Sequence, residues 1–123
     1  MSLSFEQYQA RALATAFYPH FGEGGNPVAI AYVMMGISGE TGEIAEQIKK
    51  SWREGGEGPL KGSRRDKVLD EIGDVLWYLA MLCSELDSSL AAVAEVNLEK
   101  LNARAAQGRR GWSDQAKRKA DKK

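Results

Sequence analysis

The feature that most constrains the fold is the helical spacing of apolar residues in two long runs, which are separated by a segment rich in glycine. Branched aliphatic residues recur every three or four positions between Pro27 and Arg53, and again between Ser63 and Glu85. This spacing places them on one face of an α-helix, whereas a half-buried strand needs strict alternation. No alternating pattern occurs in the sequence, so we predict an all-α protein.

Start and stop signals define the helix boundaries. Ser4 with Gln7 resembles a capping box, and Asn26 followed by Pro27 is a favoured helix start. Ser63, which has an acidic residue three positions later, is predicted to cap the third helix. The predicted helices span residues 5–17, 27–53, 63–85 and 89–106.

Length and charge bound the organisation of the chain. At 123 residues it is one domain, which we place at 1–107, followed by a mobile tail at 108–123 that is rich in lysine and arginine. Helices of this length enclose little core. We therefore predict an antiparallel bundle of about four helices that a second copy of the chain completes, as a homodimer or larger oligomer.

Composition argues against several classes of partner. Seventeen basic residues balance seventeen acidic ones, so net charge does not favour nucleic acid. No apolar run approaches the roughly 18 residues typical of a membrane span. The single cysteine, Cys83, forms no internal disulfide, and the first residues do not resemble a signal peptide. We predict a cytoplasmic protein.

Pairs of acidic residues flank the apolar stripe of each long helix. In the second helix, Glu40 lies at the edge of the stripe and Glu43 about 60° further round. In the third helix, Glu71 and Asp74 repeat this arrangement. The stripes comprise Ile30, Val33, Ile37, Ile44 and Ile48, and Val68, Ile72, Val75, Leu79, Leu82 and Leu86. If the two helices pack antiparallel, the four carboxylates converge.

Four close carboxylates are either partly protonated or held by cations. Oxygen ligands suit hard cations, and a site that also holds water favours Mg²⁺ or Mn²⁺. His20 is the only histidine, which argues against a di-iron or zinc site. The alternative is that the acids are ordinary surface residues paired with basic neighbours.

Polar and basic residues of the fourth helix suggest an anion-binding surface beside the acidic site. Asn97 interrupts the apolar stripe of the fourth helix, and Lys100 and Arg104 follow on the same side. Lys50 lies on the Glu43 side of its helix and would add to an anion-binding wall. The alternative is a satisfied core asparagine with basic side chains that reach solvent. Tyr78, one turn after the acids, is a candidate to stack on a base or ribose, or an ordinary core aromatic.

These stretches resemble the MazG-like nucleoside triphosphate pyrophosphohydrolases of the all-α NTP pyrophosphatase superfamily. The resemblance covers Tyr8 to Arg104 and is carried by GISGETGEIAEQIKK, LDEIGDVLWYLA and VNLEKLNAR. It implies Mg²⁺-dependent hydrolysis of (d)NTPs between the α and β phosphates, and an intertwined dimer or dimer of dimers. By this resemblance, the metal ligands are Glu40, Glu43, Glu71 and Asp74, and the nucleotide contacts are Asn97, Lys100 and Arg104.

We choose Glu43 as the general base and nucleotide-pool housekeeping as the role. The sequence departs from many small relatives after Arg104, which puts phosphate contacts from the C-terminus in doubt. A dUTP, dCTP or phosphoribosyl-ATP specialist of the same superfamily is one alternative. A helical interaction module without enzymatic activity is an alternative of another class.

Overall fold

The computed structural model describes residues 2–108, which form four helices and no strand, and this confirms the all-α prediction. The helices are α1 (Phe5–Leu13), α2 (Pro27–Gly55), α3 (Gly62–Glu85) and α4 (Leu90–Ala106). They belong to two compact units, one up to Leu90 and one from Ala91. Nearly all of the predicted tail lies outside the described residues, and the domain boundary at residue 107 stays a prediction.

The predicted starts of α1 and α2 are confirmed by their caps. The Gln7 N–H donates to Ser4 Oγ at 3.1 Å, and the Ser4 N–H donates to the Gln7 side chain at 2.9 Å. In α2, the Val28 N–H donates to Asn26 Oδ1 at 2.8 Å, and Pro27 occupies the first helical position. Both caps satisfy N–H groups that a helix start leaves without partners.

Two other predicted boundaries are wrong. α1 ends at Leu13, because the N–H and hydroxyl of Thr15 both bond back three residues and close the last turn. α3 begins at Gly62, and its N-cap is Lys61, which makes no side-chain cap bond. Gly62 has φ 57°, a left-handed conformation that favours glycine, so Ser63 lies inside the helix and does not cap it.

α2 and α3 pack antiparallel, as predicted. Gly36, in the first half of α2, lies against the ring of Tyr78 in the last third of α3. In the second half of α2, Gln47 accepts a 3.1 Å hydrogen bond from Arg64, which lies in the first turn of α3. Arg64 also pairs with Glu54, so one guanidinium fastens the end of α2 to the start of α3.

The core joins α1, α2 and α3. Val33 and Met81 are its largest completely buried side chains. The predicted α2 stripe is confirmed, since Val33 is buried and the four isoleucines of the stripe are half-buried. The buried cluster comprises Ala12, Tyr18, Ala29, Val33, Ala80, Met81 and Leu90.

The predicted core stripe of α3 is wrong at three of its six positions. Ile72, Leu79 and Leu86 are 48%, 37% and 60% exposed, whereas Ala80 and Met81 on another side of the helix are completely buried. α1 and α2 both pack on α3, and the small Ala80 permits their close approach. An open α3 face therefore remains on the surface, formed by Leu69, Ile72, Leu79 and Leu86.

A buried glutamine holds α1 against the end of α3. Gln9 Nε2 donates to Ser84 Oγ at 2.9 Å and to the Ser88 carbonyl at 3.2 Å. Its Oε1 accepts a 2.8 Å hydrogen bond from the Leu90 N–H. Because a buried amide is stable only when its polar atoms are paired, these bonds fix the position of α1.

Tyr18 connects the core to an aromatic cluster. Its ring stacks on Tyr32 at 5.8 Å and meets Phe21 and Trp77 edge-on. Its hydroxyl donates at 2.5 Å to Glu85, the one charged side chain that is buried among residues 2–108. Burial and this hydrogen bond raise the pKa of Tyr18 above its usual range.

Gly36→Ala is predicted to lower the free energy of unfolding, because a Cβ at this position would collide with the Tyr78 ring. Overpacking typically costs about 1–3 kcal/mol, which exceeds the gain of ~1 kcal/mol from alanine in a helix. Gly42→Ala is the matched control, since nothing lies within 4 Å of a Cβ there. It should be stabilising. Urea unfolding measures both, and equal stabilisation by the two variants would contradict a sterically required glycine at position 36.

Candidate metal and nucleotide site

Carboxylates from α2 and α3 come together where the two helices pack against each other. Glu40, Glu43 and Glu71 each offer an oxygen, and these oxygens lie within 4.8 Å of one another. The i,i+3 spacing in α2 and the antiparallel packing of α3 create this convergence. Three of the four predicted acids are thus brought together.

Two oxygens of this carboxylate cluster are buried without a donor. Glu40 and Glu71 are half-buried, and the Oε2 atom of each has no hydrogen-bond partner among the described residues. Glu43 is exposed and lies at the open edge of the cluster. Buried, unpaired carboxylate oxygens are costly, so the site requires protons or a cation.

Hydrogen bonding, burial and charge within the carboxylate cluster raise the pKa values of two of its members. Hydrogen bonding with the Glu71 carboxyl, followed by its charge, raises the pKa of Glu43. Hydrogen bonding with Glu40, followed by loss of solvation, raises the pKa of Glu71. The charge of Asp74 contributes to both increases. Asp74 therefore lies near the carboxylate cluster, although it is not one of the three residues within 4.8 Å.

The residues of the cluster fit a hard divalent cation. All the ligand atoms are carboxylate oxygens, as Mg²⁺ prefers, and a cation would satisfy the two buried Oε2 atoms. His20 supplies no nitrogen ligand here, because it lies in the segment between α1 and α2 and pairs with Glu23. The identity of the metal stays a prediction.

Tyr78 lies beside the carboxylate cluster, one helical turn after Asp74. Its half-buried ring lies against Gly36, with the Trp77 ring edge-on at 5.1 Å. Burial raises the pKa of Tyr78 most, followed by the nearby Tyr32, Glu40 and Asp74. Because glycine has no Cβ, the Tyr78 ring can pack against Gly36 and lie beside the acids.

Two further tyrosines near the site were missed by sequence reasoning. Tyr8 of α1 is half-buried, and its pKa is raised by burial and then by the charge of Asp74. Tyr32 lies beside Tyr78 and influences its pKa. The spacing of Tyr32, Gly36 and Glu40 at intervals of four was a signal for Tyr32, whereas nothing in the sequence linked Tyr8 to the acids.

The other four residues predicted to bind the substrate lie on α2 and α4. Lys50 is half-buried on α2. Asn97, Lys100 and Arg104 are exposed on α4, in the unit that begins at Ala91. Their substrate-binding role stays a prediction.

Within the described part of the chain, no helix combines the length and hydropathy needed to cross a membrane.

Fold and site together define an all-helical protein with a carboxylate cluster between two antiparallel helices. The sequence model of the MazG nucleotide pyrophosphohydrolase domain matches residues 30–108, which is more than half of the chain. The matched range includes Glu40, Glu43, Glu71 and Asp74. The chain belongs to the MazG nucleotide pyrophosphohydrolase family, which confirms the resemblance found in the sequence.

Two relatives illustrate this membership. The Gene 37 protein of Mycobacterium phage L5 is 42% identical over 101 residues, which cover 82% of this chain and 88% of the relative. The Uncharacterized protein YpjD of Bacillus subtilis (strain 168) is 36% identical over 73 residues, 58% of this chain and 63% of the relative. No solved structure matches the chain.

In the presence of a chelator, the contribution of the carboxylate cluster to stability is predicted to fall as the pH rises above 4.5. The pKa values of Glu43 and Glu71 are raised from the ordinary 4.5. A raised pKa gives a stabilising contribution that is complete below the unfolded value and is lost as pH rises through the folded value. Mg²⁺ should restore stability at neutral pH by binding the folded state. Thermal melts at several pH values, with and without Mg²⁺, measure both effects.

Glu40→Gln tests whether the carboxylate cluster causes this dependence of stability on pH and Mg²⁺. The amide removes one charge and offers Glu71 a donor, so the pH dependence should shrink and the Mg²⁺ effect should disappear. Glu46→Gln is the matched control, because Glu46 pairs with Lys49 at 3.3 Å and stands apart from the cluster. If the two variants showed identical melting temperatures at every pH, with and without Mg²⁺, these effects could not be assigned to the carboxylate cluster.

Proposed function

We propose that the protein is a Mg²⁺-dependent nucleoside triphosphate pyrophosphohydrolase that cleaves (d)NTPs between the α and β phosphates, in nucleotide-pool housekeeping. Its products are a nucleoside monophosphate and pyrophosphate. The observation that carries the proposal is the convergence of Glu40, Glu43 and Glu71, with two buried oxygens lacking donors. Membership in a family of nucleotide pyrophosphohydrolases supports the substrate class.

Glu40, Glu43, Glu71 and Asp74 would hold the cation, for which Mn²⁺ is a possible substitute. When bound, Mg²⁺ supplies positive charge to phosphate oxygens and makes water more acidic. The half-buried Glu40 and Glu71 are suited to permanent ligation, because the Oε2 atom of each has no hydrogen-bond partner among the described residues.

Glu43 is the proposed general base. Its side chain is exposed at the edge of the carboxylate cluster, where water has access. The water oxygen forms a bond to the α phosphorus, the bond from that phosphorus to the bridging oxygen breaks, and pyrophosphate leaves. Glu43 accepts the proton that the water loses.

The proposed substrate contacts come from α2, α3 and α4. Lysine and arginine neutralise phosphate oxygens, and an asparagine amide donates to them or to the sugar. Tyr78 beside the acids would limit the space open to the nucleoside. These contacts are Lys50, Tyr78, Asn97, Lys100 and Arg104.

The proposed partner, besides the nucleotide, is a second copy of the chain. The open α3 face presents four large aliphatic side chains that are each more than one-third exposed. An apolar surface of this kind is typical of a face that another subunit covers. We propose a homodimer or a dimer of dimers.

Light scattering is predicted to give a mass at least twice the 13.5 kDa of one chain. Ile72→Glu places a charge on the open α3 face and should shift the protein toward the monomer, since burying an unpaired charge is strongly unfavourable. Leu3→Glu is the control, because Leu3 is also exposed but lies before α1. A 13.5 kDa wild-type species would contradict the homo-oligomer.

Purified protein with Mg²⁺ is predicted to convert a (d)NTP to its monophosphate and pyrophosphate. Glu40→Ala and Asp74→Ala should lower kcat by more than the 10- to 100-fold typical of residues that only support a metal ligand. Glu46→Ala should leave kcat unchanged. Chromatography of products from each canonical nucleotide, with and without Mg²⁺, provides the measurement.

The products separate the alternatives. Diphosphate and phosphate would place the cut at the wrong bond and reject the proposed reaction. Turnover confined to dUTP, dCTP or phosphoribosyl-ATP would indicate a specialist. Absence of turnover with every nucleotide, together with no effect of Mg²⁺ on stability, would favour an interaction module.

A further inference from the structure

Tyr32 lies on the same face of α2 as the acids. It precedes Gly36 by four residues and Glu40 by eight, which places it about 12 Å from Glu40 along the helix axis. This separation is comparable with the span of a nucleotide between its phosphates and its base. A nucleotide bound through its phosphates at Glu40 and extended along α2 toward the N-terminus of that helix would therefore bring its base to Tyr32.

The Tyr32 ring is held in place and yet open. The buried Tyr18 ring stacks on it at a centroid distance of 5.8 Å, with 14° between the planes. Tyr32 nevertheless remains 45% exposed, whereas Tyr18 is 7% exposed. A ring supported on one face and accessible elsewhere loses little conformational freedom when it stacks on a ligand.

Tyr78 is less suited to stacking, although it is closer to the acids. Its ring lies against the Gly36 backbone, and Trp77 meets it edge-on at 5.1 Å. These contacts fix the Tyr78 ring beside Gly36 and cover part of its surface. Tyr32 is thus the more accessible aromatic surface of the pair.

We propose that Tyr32 is the stacking surface for the base of the nucleotide whose phosphates lie at the carboxylate cluster. The inference rests on the proposed function and assigns one of its specificity-determining residues. Every base has a π-face, so this contact favours nucleotides over compounds that contain phosphate alone. It does not select among bases, so discrimination between them requires other residues.

The test is the affinity of an α,β-methylene dNTP analogue, measured by calorimetry with Mg²⁺ for the wild type, Tyr32→Phe and Tyr32→Leu. Tyr32→Phe keeps the ring and should retain affinity. Tyr32→Leu keeps apolar bulk but loses the ring, and its Kd should rise roughly 5- to 150-fold. The Kd of inorganic triphosphate should not change, because that ligand has no base. Phe17→Leu is the control, since Phe17 is 94% exposed and lies outside the site.

Thermal melts with and without Mg²⁺ establish that each variant is folded and retains its metal site. Equal loss of affinity for the analogue and for inorganic triphosphate would overturn the proposal, as would no loss for either. A changed elution volume with unchanged affinity would assign Tyr32 to an interface between copies. Analogue binding that depends on Tyr32, in a protein that releases no pyrophosphate, would uphold the stacking role and reject the proposed reaction.

Discussion

The close antiparallel contact between α2 and α3 is the interaction on which the rest of the structure depends. Gly36 permits the Tyr78 ring to approach the α2 backbone, and the same approach brings Glu40 and Glu71 together. Apolar packing and electrostatic repulsion therefore act in opposite directions on the same contact between α2 and α3. The apolar contacts hold the helices together, while the carboxylates repel unless a proton or a cation lies between them. Folding alone thus creates a site with a strong preference for positive charge.

Within the unit up to Leu90, α1 packs on α3 without adding an acid to the carboxylate cluster. α1 covers the end of α3 through Gln9, and the Tyr18 ring contacts Tyr32 of α2 and Trp77 of α3. One side of α3 is then buried, and the open α3 face remains. α3 thus carries Glu71 of the carboxylate cluster on one side and exposed aliphatic side chains on another.

Periodicity predicted the helices, the α2 stripe and the acid pairs, because these depend on spacing within one helix. It predicted only part of the buried side of α3, since that helix has apolar residues around most of its circumference, and contacts with α1 and α2 together decide which are covered. The α3 start was wrong because Gly62 adopts a left-handed φ that spacing does not encode. Tyr32 was missed because an exposed aromatic in an apolar run resembles an ordinary core residue.

The position of α1 has a consequence for the boundaries of the folding unit. The family match begins at residue 30, after α1 and after Tyr18. A fragment trimmed to the matched residues would deprive Glu85 of its hydroxyl donor and leave Ser84 and the Leu90 N–H without Gln9. It would also expose Ala80 and Met81, which α1 helps to cover. The segment recognised by similarity is thus shorter than the segment that forms the core.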